Sequence, residues 1–197
     1  MDPNHSFDAV NYWNERYQRG ETSGKGSEGF NYEYKRDYIN RVIEMYQFER
    51  IVDFGCGDGN QIHELNIQQY HGVDIAESSI QRCRDRYAGD PRYRFDILDR
   101  NVRFTHYDLA LSLDVLYHIV HQVDYESYLR LLFGYSKYTL IYANWEASES
   151  RVPHICYRNH FEAIQRLRIS TQIIARDVNP RKISIGFSLF RNENFTP

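Results

Sequence analysis

The chain predicts an α/β domain built on a mostly parallel sheet, and three observations carry that prediction. Short apolar, β-branched and aromatic clusters recur along its length, helix-forming stretches stand between most of them, and the last two clusters are separated by only a short connection. Strands that alternate with helices pair in parallel, since a parallel return needs a crossover, whereas a short connection returns the chain antiparallel.

The elements follow in order. GETSGKGSEG, from Gly20 to Gly29, is rich in residues that interrupt regular structure and reads as a flexible segment ahead of the first strand. RDYINRVIEMY (36–46) has helical character and leads into RIVDF (50–54), the first buried strand. YHGVDI (70–75) is the second strand, ESSIQRCRDRYA (77–88) the helix after it, and YRFDIL (93–98) the third strand. YDLALSL (107–113), the helical YESYLRLLFGY (125–135) and YTLIYAN (138–144) complete the alternating part. TQIIARDV and ISIGFSLFRN, joined by NPRK with Pro180, read as a closing hairpin, so an antiparallel strand should end the sheet.

Composition bounds the rest. A chain of 197 residues with 42% hydrophobic content can bury one sizeable core, so a single domain is expected, with residues 1–34 as a lid segment ahead of a body at 35–197. Net charge is −3 and pI about 6.2, which gives no global basic field and argues against nucleic-acid and membrane partners. Cys56, Cys83 and Cys156 are odd in number and widely spaced, which suits a reducing compartment. MDPNHSFDAV lacks the basic and apolar parts of a signal peptide, and no apolar stretch approaches ~18 residues, so a cytoplasmic protein is expected.

IVDFGCGDGNQI (51–62) places Gly55, Gly57 and Gly59 after the first strand, with Asp53 before them and Asp58 among them. A strand, a glycine turn and a helix put backbone amides at the carboxyl edge of a sheet, where nucleotide-like ligands bind. Dinucleotide sites use GxGxxG; here the third glycine comes one residue early, and Asp58 would repel a diphosphate. This disfavours an NAD-dependent oxidoreductase. S-adenosylmethionine carries an ammonium and a sulfonium, and acids suit such a cation. Asp74 ends the second strand 21 residues after Asp53, a distance at which a carboxylate accepts from ribose hydroxyls. Asp99, or its rival Asp96, follows as an acceptor for an adenine amino group, although carboxylates also end strands simply as turn formers.

With these residues in place, the sequence resembles the class I SAM-dependent methyltransferases. DFGCGDG matches their first motif, GVDIAE the second, and YDLALSLDVLYHIV the strand and following loop of the fourth, over roughly residues 35 to 192. The resemblance implies a Rossmann-like, seven-stranded sheet with helices on both faces and an antiparallel last strand, S-adenosylmethionine as cofactor, and Leu113 in the cofactor set. YWNERYQRGETSGKGSEG is similar to the opening of small bacterial and viral members, among them the enzymes of large algal viruses that O-methylate sugars on capsid glycans.

The opening segment holds Tyr12, Trp13, Arg16 and Tyr17 within a turn or so, a set that could close as a lid or simply pack as an amphipathic helix. Arg16 or Lys35 could receive the methionine carboxylate. GKGS at 24–27 lacks the spacing of a phosphate loop.

Methyl transfer by in-line displacement needs a nucleophile held in place, water excluded and a proton removed. In SLDVLYHIV, Asp114 and His118 are four apart and could share a helical face, Asp114 orienting His118 as general base. His154, in VPHICYRNH with Tyr157, Arg158 and His160, is the second candidate base. His118 and His121 in HIVH lack a clear third ligand, so no metal is expected. The loop after the fourth strand is not [ND]PP[YF], which counts against amino methylation of DNA bases. The expectation is therefore a methyltransferase acting on a hydroxyl of a small molecule or glycan, most of all a sugar, with a non-catalytic SAM-binding module as the alternative and the oligomeric state open.

Overall fold

The computed structural model describes residues 7–195. Residues 1–6, part of the stretch that argued against a signal peptide, lie outside the described residues, as do 196 and 197. The described residues form two compact units, one spanning Val10–Phe104 and the other 105–195 together with 7–9.

The first unit holds α1 (Ala9–Gln18), a 3-10 turn (Lys25–Ser27), α2 (Gly29–Tyr46), β1 (Arg50–Phe54), β2 (Gln69–Asp74), α3 (Glu77–Arg86) and β3 (Tyr93–Ile97). β1 pairs in parallel with β2, and β2 with β3. Ile51, Val52 and Phe54 are fully buried, as a continuous apolar run in a parallel strand should be. Gly72 is required within β2: a Cβ there would stand 2.8 Å from the Phe95 ring and 2.9 Å from that of Tyr70. α2 buries Lys35, Tyr38, Ile39, Val42 and Ile43, the i, i+3, i+4, i+7, i+8 stripe of an amphipathic helix, with a lysine at a position that calls for an apolar residue.

The helix expected directly after the glycine turn does not form. Residues 61–64 are turns, and Gly59 (φ 71°) and Glu64 (φ 64°) are both left-handed, leaving too few residues between them to nucleate a helix.

The second unit holds β4 (Tyr107–Leu113), a 3-10 turn (Leu116–His118), α4 (Gln122–Gly134), β5 (Ser136–Asn144), α5 (His160–Arg166), β6 (Thr171–Asn179) and β7 (Lys182–Asn192). β4 and β5 are parallel, while β7 is antiparallel to both β5 and β6, so the closing hairpin is present. α4 buries Tyr125, Tyr128, Leu129, Leu132 and Phe133 along one stripe, and the Tyr128 hydroxyl donates to Ser112 Oγ at 2.8 Å. α5 is capped by Asn159, whose side chain accepts from the amides of Phe161 and Glu162.

The seven-stranded sheet has the order β3-β2-β1-β4-β5-β7-β6, the α/β arrangement expected. Among the described residues no helix is long and apolar enough to cross a membrane.

Candidate active site

The glycine loop is shaped by left-handed backbone at Gly55 (φ 87°), Gly57 (φ 56°) and Gly59 (φ 71°), a run that residues with a Cβ rarely sustain. Gly55 and Cys56 donate their amides to the Val73 carbonyl, tying the loop to β2. Asp74 completes that tie: one carboxylate oxygen accepts from Gly57 N–H and the other from Ala76 N–H, both at 2.9 Å. Asp74 thus holds the loop in shape, and the Ser79 hydroxyl and the Ile75 amide also favour its anion against burial.

Asp53, at the end of β1, is buried. Its Oδ2 accepts from the Tyr70 hydroxyl at 2.8 Å, while Oδ1 has no hydrogen-bond partner. Burial pushes its carboxyl up to about 7, opposed by the Tyr70 hydrogen bond and assisted by the charge of Asp74; nearby Lys35 pulls it down. Lys35 is 0% exposed. Gln61, just after the loop, is 6% exposed, and both polar atoms of its amide lack a protein partner. Sequence reading passed over Gln61, because a glutamine beyond a glycine loop carries no motif signal of its own.

Asp58 has a different role from the cation-attracting one expected of it. Its two oxygens accept from the amide and hydroxyl of Ser23, at 3.1 and 2.8 Å, and from Asn60 N–H. Tyr17 Oη lies 3.0 Å from the same Ser23 hydroxyl, and Asn60 Nδ2 donates to the Ser27 carbonyl at 2.6 Å. Arg82 of α3 donates to the carbonyls of Glu21 and Tyr17. The segment around Gly20–Gly29, expected to be flexible, is therefore bonded to the loop. A Cβ on Gly57 would meet Ser23 Oγ at 2.5 Å, so that contact depends on glycine.

Arg16 is engaged locally, with its Nε on the Thr22 carbonyl at 2.8 Å and an ion pair to Glu21 at 3.0 Å. Trp13 stacks on Tyr17 at 5.9 Å and meets Tyr12 edge-on at 5.2 Å. Asp99 is exposed and caps its own turn, accepting from the amides of Asn101 and Val102, bonds that lower its pKa. Asp96 bonds His71 at 3.0 Å and Arg94 at 2.6 Å. Asp99 thus has the partners of the turn-forming alternative, whereas Asp96 is held by side chains of β2 and β3.

In the second unit, Leu113 is buried at the end of β4, opposite Tyr142 of β5. The shared helical face expected of Asp114 and His118 is absent. Asp114 is left-handed (φ 62°), which turns the chain before the 3-10 turn starts, and it accepts from the Tyr117 hydroxyl at 2.9 Å. That bond and burial keep the Tyr117 phenol well above its usual range, burial being the larger cause. His118 Nδ1 lies 3.1 Å from the His154 carbonyl. A carbonyl only accepts, so Nδ1 carries a proton, which in the neutral ring leaves the lone pair on Nε2. His154 thus supports His118 through its backbone, and the two rings stack at 5.6 Å. Tyr157, Tyr117, His118, His154 and Phe7 form a row of rings at successive distances of 5.7, 4.5, 5.6 and 6.2 Å. His160 is fully buried and lowered to about 4 by desolvation. Among the described residues, no group of three or more His, Cys, Asp or Glu could hold a metal.

A family model described as a methyltransferase domain matches residues 52–133. The mRNA cap guanine-N(7) methyltransferase of Aspergillus niger is 32% identical over 91 residues, 42% of this chain and 15% of that protein, so the chain spans about a seventh of that relative's length. Among solved structures, the N-methyltransferase NodS of Bradyrhizobium japonicum WM9, in complex with S-adenosyl-L-homocysteine, aligns with TM-score 0.76 at 14% identity, covering 95% of this chain and all of that one. Magnesium protoporphyrin IX methyltransferase of Synechocystis PCC 6803, with the same bound product, aligns with TM-score 0.67 at 14% identity over 93% and 98% of the two chains.

Proposed function

We infer that this chain is a class I methyltransferase, a reading its fold and the match at residues 52–133 support, and that it takes S-adenosylmethionine and transfers a methyl group to a hydroxyl of a sugar or glycan. When bound, that cofactor supplies a methyl group already activated on sulfur. The residues present fit it. Asp53 Oδ1 is a buried acceptor in want of a donor, which an amino-acid ammonium provides, and Lys35 is a buried cation suited to the matching carboxylate. Asp74 shapes the loop from the end of β2, the position from which a carboxylate meets ribose hydroxyls. The product bound in the NodS and protoporphyrin methyltransferase structures supports the same cofactor.

His118 carries the hydroxyl assignment. With Nδ1 committed to the His154 carbonyl, the lone pair stands on Nε2, the form that removes a proton from a hydroxyl as transfer proceeds. The neighbouring row of rings offers faces for a sugar to stack on. A nitrogen acceptor is the second reading, favoured by the names of NodS and of the cap methyltransferase.

The test is a screen of labelled S-adenosylmethionine against methyl glycosides, amines and a guanine cap analogue, with mass spectrometry of the products. Label on a glycoside oxygen supports the hydroxyl; label on nitrogen alone replaces it with the second reading. With the acceptor in hand, His118→Ala should lower turnover by ~10² to 10⁴ and leave cofactor affinity nearly intact.

A further inference from the structure

Three hydrogen-bonded links join the segment after β5 to the turn after β4. His118 Nδ1–H donates to the His154 carbonyl at 3.1 Å, Cys156 N–H donates to the Tyr117 carbonyl at 2.7 Å, and Arg158 donates from one terminal nitrogen to the Ile119 carbonyl at 2.7 Å and from the other to that of Val120. The Arg158 guanidinium also lies 4.7 Å from the centre of the buried Tyr125 ring on α4. Four carbonyls therefore share one strap, and its anchor is a planar fork gripping two successive carbonyls immediately after the imidazole.

We propose that Arg158 is a positioning residue for methyl transfer: its fork on the Ile119 and Val120 carbonyls, backed by Tyr125, registers the 154–158 segment against the 116–120 turn so that the His154 carbonyl holds the His118 imidazole with Nδ1 protonated. The role in turnover rests on His118 being the base. The registration of the imidazole does not, and it is measured separately. Lysine cannot replace the fork, because one ammonium does not reach two carbonyls in a fixed plane.

The experiment uses the full chain with 15N-labelled histidine. Long-range 1H–15N spectra distinguish the two imidazole tautomers, and His118 is assigned by the signal lost in His118→Gln. The wild type should show a single Nδ1–H tautomer for His118. Arg158→Ala should convert it to a mixture, and guanidinium chloride at a non-denaturing concentration should restore the single form. Arg158→Lys should resemble Arg158→Ala and gain nothing from guanidinium. An unchanged His118 tautomer in Arg158→Ala, or in Arg158→Lys where the alanine variant fails to fold, overturns the proposal. With methyl glycosides and labelled S-adenosylmethionine, Arg158→Lys should reduce turnover ~10- to 100-fold without changing cofactor affinity. If His118→Ala keeps full turnover, the base assignment fails while the spectra still decide whether Arg158 registers the imidazole.

Discussion

Asp53 is a carboxyl pulled in two directions. Burial favours its neutral form, while the Tyr70 hydroxyl and the charge of Lys35 favour the anion, and without ligand the balance lies at about 7. A cationic ammonium at Oδ1 adds to the second side. Binding of S-adenosylhomocysteine, which keeps that ammonium, should therefore release protons below about pH 7, and affinity should rise with pH up to that point. Calorimetry in buffers of different ionisation enthalpy reads this directly, and Asp53→Asn should abolish the buffer dependence. The same shift sets a stability trend. A carboxyl whose folded pKa lies above its unfolded 3.8 favours the folded state at low pH and loses that contribution as pH rises from about 4 to about 7. The loss is on the order of 4 kcal/mol at most. The ligand-free Asp53→Asn variant should show a flatter melting curve against pH over that window. The motif showed where Asp53 and Asp74 stand because loop and strand are contiguous in sequence. The partner of Asp58 was hidden, since Ser23 lies 35 residues away and no local pattern announces it.

Among the elements, α2 carries the clearest conflict between packing and function. Lys35 interrupts an otherwise apolar stripe, and its charge pulls the buried Asp53 carboxyl down against burial. Lys35→Met should weaken cofactor binding at least tenfold and, by leaving the buried Asp53 carboxyl without its nearby cation, lower the melting temperature; a variant that binds normally would remove Lys35 from the site. The sequence showed the helical character of 36–46 but not that the helix begins at Gly29 and carries Lys35 into its buried face. The turn after β4 was not legible either: a four-residue spacing suggested a helical face, and only the left-handed backbone of Asp114 reveals that the chain turns first. The loop after β1 misled in the same way, because nothing in NQIHEL announces that Glu64 takes a left-handed conformation. The hairpin of β6 and β7 was legible because a short proline-containing connection leaves few alternatives.

At the scale of the molecule, the cofactor residues proposed here, apart from Leu113, all belong to the Val10–Phe104 unit. Saturation with S-adenosylhomocysteine at a hundred times its Kd should stabilise the protein by ~2.7 kcal/mol and raise its Tm by about 5–10 °C. Hydrogen exchange should slow around Ser23, Asp53–Gln61 and Asp74; protection confined to residues beyond Thr105 would contradict the assignment. Chelation with EDTA should leave turnover unchanged, and rescue by a divalent cation after its loss would recast Asp114 as a ligand. The bond between Ser23 and Asp58 also sets a clock. It fastens the Gly20–Gly29 segment to the glycine loop, and we expect a molecule held by that loop to leave no faster than the fastening opens. Ser23→Ala should shorten the residence time of bound S-adenosylhomocysteine in a chase experiment and speed its association by a similar factor, leaving Kd nearly constant. The dwell of the spent product would then be set by this bond and not by the contacts that fix its affinity.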